Sequence, residues 1–209
     1  MMRLVRGTAP DWLDVSAQTL SKLDGLLGLV EKWNPAINLV AQGSLSDAWQ
    51  RHVVDSAQLF EHVPRQARTL ADFGSGAGFP GLVLAILAQD SLPNLRVTMI
   101  ESDKRKATFL SQAARQLSVS VTVRTDRAEV LAPLSADVVT ARALAPLVNL
   151  CRIAARHLVP GGIAIFPKGS QADHEVTEAA GQWQFDLRHQ QSRTDPAAQI
   201  LTLERIHHA

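Results

Sequence analysis

The segment Asp72-Phe73-Gly74-Ser75-Gly76-Ala77-Gly78-Phe79-Pro80-Gly81 holds the residues whose types and spacing point most directly to chemistry. Gly76, Gly78 and Gly81 match G-x-G-x-x-G between an apolar run and a helical pattern. Glycines there let the main chain approach a ligand closely. Glu101 lies twenty residues beyond Gly81, at the end of the next apolar run. An ionised carboxylate only accepts hydrogen bonds, so this one suits a pair of ribose hydroxyls. A tight turn without a ligand is the plain alternative. The strand before it, the helix after it and Glu101 together argue against that alternative.

Asp72 extends the loop to Asp-x-Gly-x-Gly-x-Gly. Negative charge beside a pyrophosphate is unfavourable, whereas an ammonium and a sulfonium would be welcome. The loop therefore favours S-adenosylmethionine over a nicotinamide dinucleotide. Pro80 suits a first helical turn, where its missing N–H costs little. The positive end of that helix is placed to receive the ligand carboxylate. The chain has no tyrosine, which removes the short-chain dehydrogenases and their Tyr-x-x-x-Lys pair. Other nicotinamide-dependent oxidoreductases stay open on the loop alone.

Elsewhere the chemistry is sparse. Cys151 sits in an apolar helical pattern and reads as a packed small residue. A cytosine-C5 methylating enzyme needs a cysteine, usually after proline, and Cys151 follows Leu150. No Asn/Asp-Pro-Pro-Tyr/Phe turn marks an adenine-N6 enzyme. His207-His208 lacks cysteine partners, so no metal site is expected.

The elements that must position the loop follow from periodicity. Leu13, Ala17, Leu20, Leu23, Leu27 and Val30 have helical spacing over 12–33, with Asn34-Pro35 as the expected stop. A second helix is expected over 45–63, capped by Ser44 or Ser46. Strands are expected at 68–73, 96–101, 119–124, 136–141 and 163–167. Helices are expected at 81–89, 105–117 and 147–157. This alternation predicts an α/β fold, a mostly parallel doubly wound sheet with helices on both faces. Residues 183–188 and 200–205 read as an antiparallel hairpin at its edge. The expected division is an N-terminal helical lobe, 1–66, and a ligand-binding core, 67–209.

The whole chain has 209 residues, 46% hydrophobic and 20% charged, as in a globular protein. It contains no apolar run long enough to span a bilayer. The N-terminus lacks the apolar core of a secretory signal, and one cysteine permits no internal disulfide framework. A cytoplasmic setting is expected. A net charge of +1 permits a nucleic-acid partner without demanding one.

Taken together, the motifs resemble those of the small-subunit ribosomal RNA methyltransferase G family, also called the glucose-inhibited division protein B family. The resemblance runs from about Trp33 to Gly169. It includes Lys32-Trp33-Asn34 with Asn38-Leu39, and Arg51-His52-Val53-Val54-Asp55-Ser56. It continues through the glycine loop, Glu101-Ser102, Phe109-Leu110, Arg127-Ala128-Glu129, Asp137, Arg142-Ala143 and Lys168-Gly169. Two positions depart from the family pattern. Val40 follows Asn38-Leu39 where the family usually has threonine, and the usual Lys-Arg pair appears as Arg105-Lys106 after Lys104.

The resemblance implies a Rossmann-like class I methyltransferase fold with an N-terminal helical lobe. It implies transfer of a methyl from S-adenosylmethionine to N7 of a guanine in the 530 loop of 16S rRNA. It places cofactor contacts on Gly74, Phe79, Ala128, Glu129 and Arg142, beside Asp72, Gly76, Gly78 and Glu101 from the loop itself. The implied partners are 16S rRNA or the 30S particle, met by a monomer with no membrane contact. Guanine N7 carries a lone pair and no proton, so no general base or nucleophile is expected. Alignment of the reactants then does most of the work. Arg51, His52, Arg105, Lys106, Arg142 and Lys168 are the candidates for a basic rim facing RNA phosphates. For 104–106 the alternative is a solvated charge run at a helix start. His52 and Asp55 share a helix face and are candidates to hydrogen-bond each other.

Overall fold

The structure is a computed structural model that describes residues 8–209. Helix α1 (Ala17–Ile37) begins at Ser16, whose Oγ accepts the Thr19 N–H at 3.1 Å. It buries Leu23, Leu26, Leu27 and Val30. The expected stop at Asn34-Pro35 is passed, because Pro35 sits in the last turn and removes only its own N–H. Asn38 then ends the helix in a left-handed conformation, φ 49°, donating to the Asn34 carbonyl at 2.9 Å.

The second expected helix is broken. Gln42–Asp47 is 3₁₀, Trp49–Val54 is a π-turn, α2 (Asp55–Ala57) is a single α-turn and Gln58–His62 is 3₁₀ again. No side chain caps its start at Ala41; Ser44 donates instead to the Ala41 carbonyl at 2.7 Å. A π-turn adds a residue to one turn and redirects its side chains, here Arg51 and His52.

Seven strands form one sheet: β1 (Thr69–Phe73), β2 (Arg96–Ile100), β3 (Val121–Arg124), β4 (Ala136–Ala141), β5 (Leu158–Lys168), β6 (Trp183–Gln191) and β7 (Gln199–His208). Their order is β3-β2-β1-β4-β5-β7-β6. Neighbours from β3 to β5 pair in parallel, and β7 runs antiparallel to both β5 and β6. The hairpin at the sheet edge is therefore present, with its second strand inserted between β5 and β6. Strand β5 is longer than expected, and its pairing with β4 shifts register between Ala136 and Val138.

Helices α3 (Gly81–Ser91) and α4 (Lys104–Gln116) cover one face. There Leu70 and Val97 join Phe109, Leu110 and the buried leucines of α1 in one core. Every residue of α3 from Gly81 to Ala88 is buried, as in a helix wedged between a sheet and another layer. Helices α5 (Leu147–His157) and α6 (Ala172–Ala180) cover the other face, over Ala71, Phe73, Val139 and Phe166. Helix α6 buries only Ala172 and Ala179, so its sequence carries little periodic signal. The strand order reverses between β1 and β4, and ligands of such sheets bind outside the strand ends at that point.

Candidate functional site: two cavities joined at Gly74

Strand β1 delivers the glycine loop to the β1/β4 switch point. Gly74 and Ser75 donate to the Ile100 carbonyl at 2.8 and 3.2 Å, which pins the loop to the end of β2. Gly74 and Gly76 have φ of 69° and 52°, left-handed values that glycine adopts without strain. A side chain at Gly76 would meet nothing closer than the Gly74 carbonyl, 3.7 Å away. Its face is open to the cleft. Gly81 is small for another reason: a Cβ there would lie 2.5 Å from Asp72 Oδ2.

Asp72 is fully buried and lines neither cavity. Its Oδ2 accepts the Gly81 N–H at 3.1 Å and its Oδ1 the Thr140 hydroxyl at 2.9 Å. Burial pushes its carboxyl up to about 6, against the pull of those hydrogen bonds. Asp72 thus caps α3 and ties it to β1 and β4. This corrects the expectation that the start of α3 receives a ligand carboxylate. Its first N–H is held by Asp72, and those of Leu82 and Val83 donate to Gly78 O. Gly78 also lies outside both cavity walls, and a Cβ there would press on Leu82 at 2.9 Å.

Gly74 borders two cavities. One, of about 570 Å³, is walled by Phe73, Ile100, Ser102 and the run Asp126-Arg127-Ala128-Glu129. Glu101, between the wall residues Ile100 and Ser102 but itself outside both cavity walls, accepts Gly76 N–H on Oε2 at 2.9 Å and Asp103 N–H on Oε1 at 2.8 Å. Each oxygen keeps a lone pair for a further donor. Helix α5 adds Asn149, Arg152, Ile153 and Arg156 to this wall, and its last turn fastens the segment from Ala128 to Leu131. His157 Nε2 meets the Ala128 carbonyl at 3.0 Å, and Arg156 makes two hydrogen bonds to the Leu131 carbonyl.

The other cavity, about 820 Å³, is lined by Ser44, Arg51, His52, Asp55, Gly76, Phe79, Arg142, Lys168 and Thr194, among others. Arg142 ends β4 and is its organising cation. Its Nη1 donates to the Arg51 carbonyl at 3.0 Å and to Asp55 Oδ2 at 3.2 Å. Its guanidinium stands 5.4 Å over the Phe79 ring, and His52 stacks on that same ring at 5.0 Å. Arg142 Nη2 lies 3.3 Å from His52 Nδ1. A guanidinium only donates, so Nδ1 accepts and the ring proton is on Nε2. Nε2–H then donates to Ser44 Oγ at 3.0 Å. Burial, then the Arg142 charge, lowers His52 to about 4. His52 therefore offers a neutral ring to the cleft and no charge to a basic rim at neutral pH. His52 and Asp55 are joined through Arg142 and not directly.

The remaining expected contacts divide. Lys168 lines the larger cavity but is paired: its Nζ lies 2.6 Å from Glu175 Oε2 and 3.1 Å from the Ala145 carbonyl. Arg51 is exposed beside Asp47. Arg105 and Lys106 start α4 outside both cavity walls, where Asp103 accepts their N–H groups at 2.8 and 3.4 Å. Asp137 lies at the opposite end of the sheet, fastening β4 to the start of β1 through the Arg68 and Thr69 N–H groups. Cys151 is fully buried, and burial pushes its thiol up to about 12. Ser44, Arg156, His157, Glu175 and Thr194 are parts of the site that the sequence reading missed. A helix-capping candidate was the only signal any of them carried, at Ser44.

The strand order, with β7 inserted antiparallel, and the two cavities at the switch point define a Rossmann-like class I methyltransferase fold. Solved structures agree at the level of fold. One is precorrin-6y C5,15-methyltransferase from Geobacter metallireducens, TM-score 0.52 and 14% identical, covering 80% of this chain and 91% of that one. Another is the Thermus thermophilus 16S rRNA N2 G1207 methyltransferase in complex with AdoMet and guanosine. Its TM-score is 0.53 at 17% identity, covering 73% of this chain and 38% of that one.

Sequence comparison is more specific. The family described as rRNA small subunit methyltransferase G matches residues 19–200. The ribosomal RNA small subunit methyltransferase G of Cereibacter sphaeroides is 48% identical over 196 residues, 94% of this chain and 95% of that protein. That of Rhodospirillum centenum is 51% identical over 192 residues, 92% of this chain and 87% of that protein. The chain belongs to the rRNA small subunit methyltransferase G family.

Proposed function

We propose that this protein transfers a methyl group from S-adenosylmethionine to N7 of a guanine in the 530 loop of 16S rRNA. The observation that carries the reading is the pair of cavities sharing Gly74 as a common wall. A two-substrate transfer needs two sites that meet at one point. The residues present fit the cofactor at the junction of the two cavities: Gly76, next to Gly74 on the larger one, leaves its Cβ side open, and Glu101 stands beside the loop with acceptor capacity to spare. Gly74, Gly76, Glu101, Ala128 and Glu129 would hold S-adenosylmethionine, with Phe79 and Arg142 at its reactive end. When bound, it supplies an electrophilic methyl on a sulfonium.

The protein's own contribution is placement. The neutral His52, backed by the buried Phe79 ring on which it stacks, offers ring surface for a flat base. Arg142, held by Asp55 and the Arg51 carbonyl, fixes donors on one side of the cleft. The N7 lone pair needs no base, so orientation supplies the rate enhancement. A guanine reaches the cleft only when unstacked from its neighbours. Arg51, Arg105, Lys106 and Lys168 are proposed to meet RNA phosphates, with Lys168 exchanging its pairing with Glu175 for RNA. The substrate, free or in the 30S particle, places the reaction in the cytoplasm, and among the described residues no helix is long and apolar enough to cross a membrane. We treat 8–66 and 67–209 as an RNA-facing helical lobe and a cofactor-binding core; residues 1–7 of the expected lobe lie outside the described residues.

The test is labelled methyl transfer to rRNA and to 30S particles, followed by mapping of 7-methylguanine through borohydride and aniline strand scission. One modified guanine in the 530 loop is expected. Label on another base or atom, or none on any RNA, would remove this reading.

A further inference from the structure

The loop between β6 and β7 walls the acceptor-side cavity through Thr194, Asp195 and Ala198. It is fastened to the helical N-terminal part by side chains far away in sequence. Gln58 Nε2 donates to Ser192 Oγ at 3.0 Å, and its Oε1 accepts the Arg193 N–H at 2.9 Å. Arg193 reaches Glu61 at 2.8 Å and lies 4.7 Å over the Trp12 ring. The decisive contact is Thr194 Oγ1 to Asp55 Oδ1, 2.7 Å across 139 residues of chain. Gln58 Nε2 reaches the same oxygen at 3.0 Å. The other oxygen, Oδ2, accepts from Arg142.

Asp55 therefore has one oxygen turned to the loop and the other to Arg142. A carboxylate gripped on one oxygen by two donors has its plane fixed, and so presents its other oxygen in one direction. The Asp55 and Arg142 side chains are 20% and 19% exposed, so water screens this pair less than a surface one. We infer that Thr194 is a positioning residue for Arg142, and that residues 192–198 belong to the acceptor site. Its hydroxyl orients Asp55, and Asp55 holds the guanidinium over Phe79 and against His52. This rests on the reading of the larger cavity as the acceptor site.

Thr194→Val keeps the shape and removes the donor; Thr194→Ser keeps the donor; Thr194→Ala replaces the valine variant should that one fail to fold. Each is measured in the wild-type and Arg142→Ala backgrounds for rRNA methyl transfer, with S-adenosylmethionine affinity and the His52 ring titration by NMR alongside. Thr194→Val is expected to lower kcat/KM for RNA about tenfold, with cofactor affinity within about twofold. Thr194→Ser should recover most of that loss. In the Arg142→Ala background Thr194→Val should add nothing, because both changes remove one interaction. The His52 pKa should rise from its low value by about one unit as the Arg142 charge leaves the ring. Equal losses in both backgrounds, or an unmoved His52 titration, would overturn the assignment. If wild-type protein methylates no RNA, the acceptor reading fails. The His52 titration then decides the link from Thr194 to Arg142 on its own.

Discussion

The two cavities on either side of Gly74 are built by different means. The smaller is walled by residues at or just past the ends of β1 to β4, such as Ser102, Ala128 and Leu144, and by one helix, α5. The larger is walled by five separated stretches, 39–55, 74–79, 142–143, 167–175 and 194–198, whose side chains meet at Arg142, Asp55, Lys168 and Thr194. A wall of strand ends and one helix packed on the sheet needs only those regular elements to form. A wall of side chains needs each long-range contact to form as well. The first should therefore tolerate most side-chain substitutions and fail on backbone changes, while the second should show the opposite pattern.

The largest effect should come from the loop. Gly74→Asp must adopt φ 69° and push aside Leu144, whose Cδ1 lies 2.7 Å from the new Cβ position. Calorimetry should show S-adenosylmethionine affinity reduced at least about a hundredfold. Retained affinity would mean that the shared wall is not a binding wall. Gly81→Ala is the matching test of the structural half. Its Cβ meets the buried Asp72 carboxylate, so urea unfolding should show a loss of about 1–3 kcal/mol.

Next, Arg142→Ala should lower methyl transfer about ten- to a hundredfold, with cofactor affinity changing far less. If affinity falls in parallel, Arg142 serves the cofactor more than the acceptor. A smaller effect concerns pH. The folded state holds His52 neutral down to about pH 4, whereas an unfolded chain protonates it near 6.5. The unfolded state then binds more protons between those values, so stability rises with pH across that window. His52→Gln should flatten part of this slope in denaturation measured from pH 4 to 7. His62 and His157, both also lowered by burial, add to the slope, and Asp72, raised to about 6 by burial, opposes it because there the folded state binds the extra proton. The smallest effect is electrostatic. Lys106→Gln should reduce the salt dependence of rRNA binding by about one unit of slope if it meets a phosphate. An unchanged slope would return 104–106 to a solvated helix start.

The same contrast explains what the sequence could tell. The glycine loop, Glu101 and the Ala128-Glu129 turn lie next to periodic strands and helices, so their placement follows from local patterns. The strand alternation likewise gave the parallel sheet and its edge hairpin. Asp72 was visible as an acidic residue in the right place, yet its role was misread. Only the fold brings Thr140 and Gly81 to it. The broken helix at 42–62 has a regular apolar pattern, and its π-turn offers the Arg51 carbonyl to Arg142, a partner 91 residues away that no local pattern announces. Thr194 carries no periodic signal, since its partner Asp55 is 139 residues away, and Glu175 serves the site through Lys168 and the Leu147 N–H, the latter 28 residues away.

The central claim is that Gly74 separates a cofactor site from an acceptor site. Amide chemical-shift mapping with S-adenosylhomocysteine and, separately, guanosine monophosphate tests it most directly. S-adenosylhomocysteine is predicted to shift Gly74, Ser102, Ala128 and Glu129 while leaving Ser44 and Thr194 in place. Guanosine monophosphate is predicted to shift Ser44, His52 and Thr194 while sparing Ser102 and Ala128. Both ligands moving the same set of amides, or S-adenosylhomocysteine moving Ser44 and Thr194 in place of Ser102 and Ala128, would contradict the account.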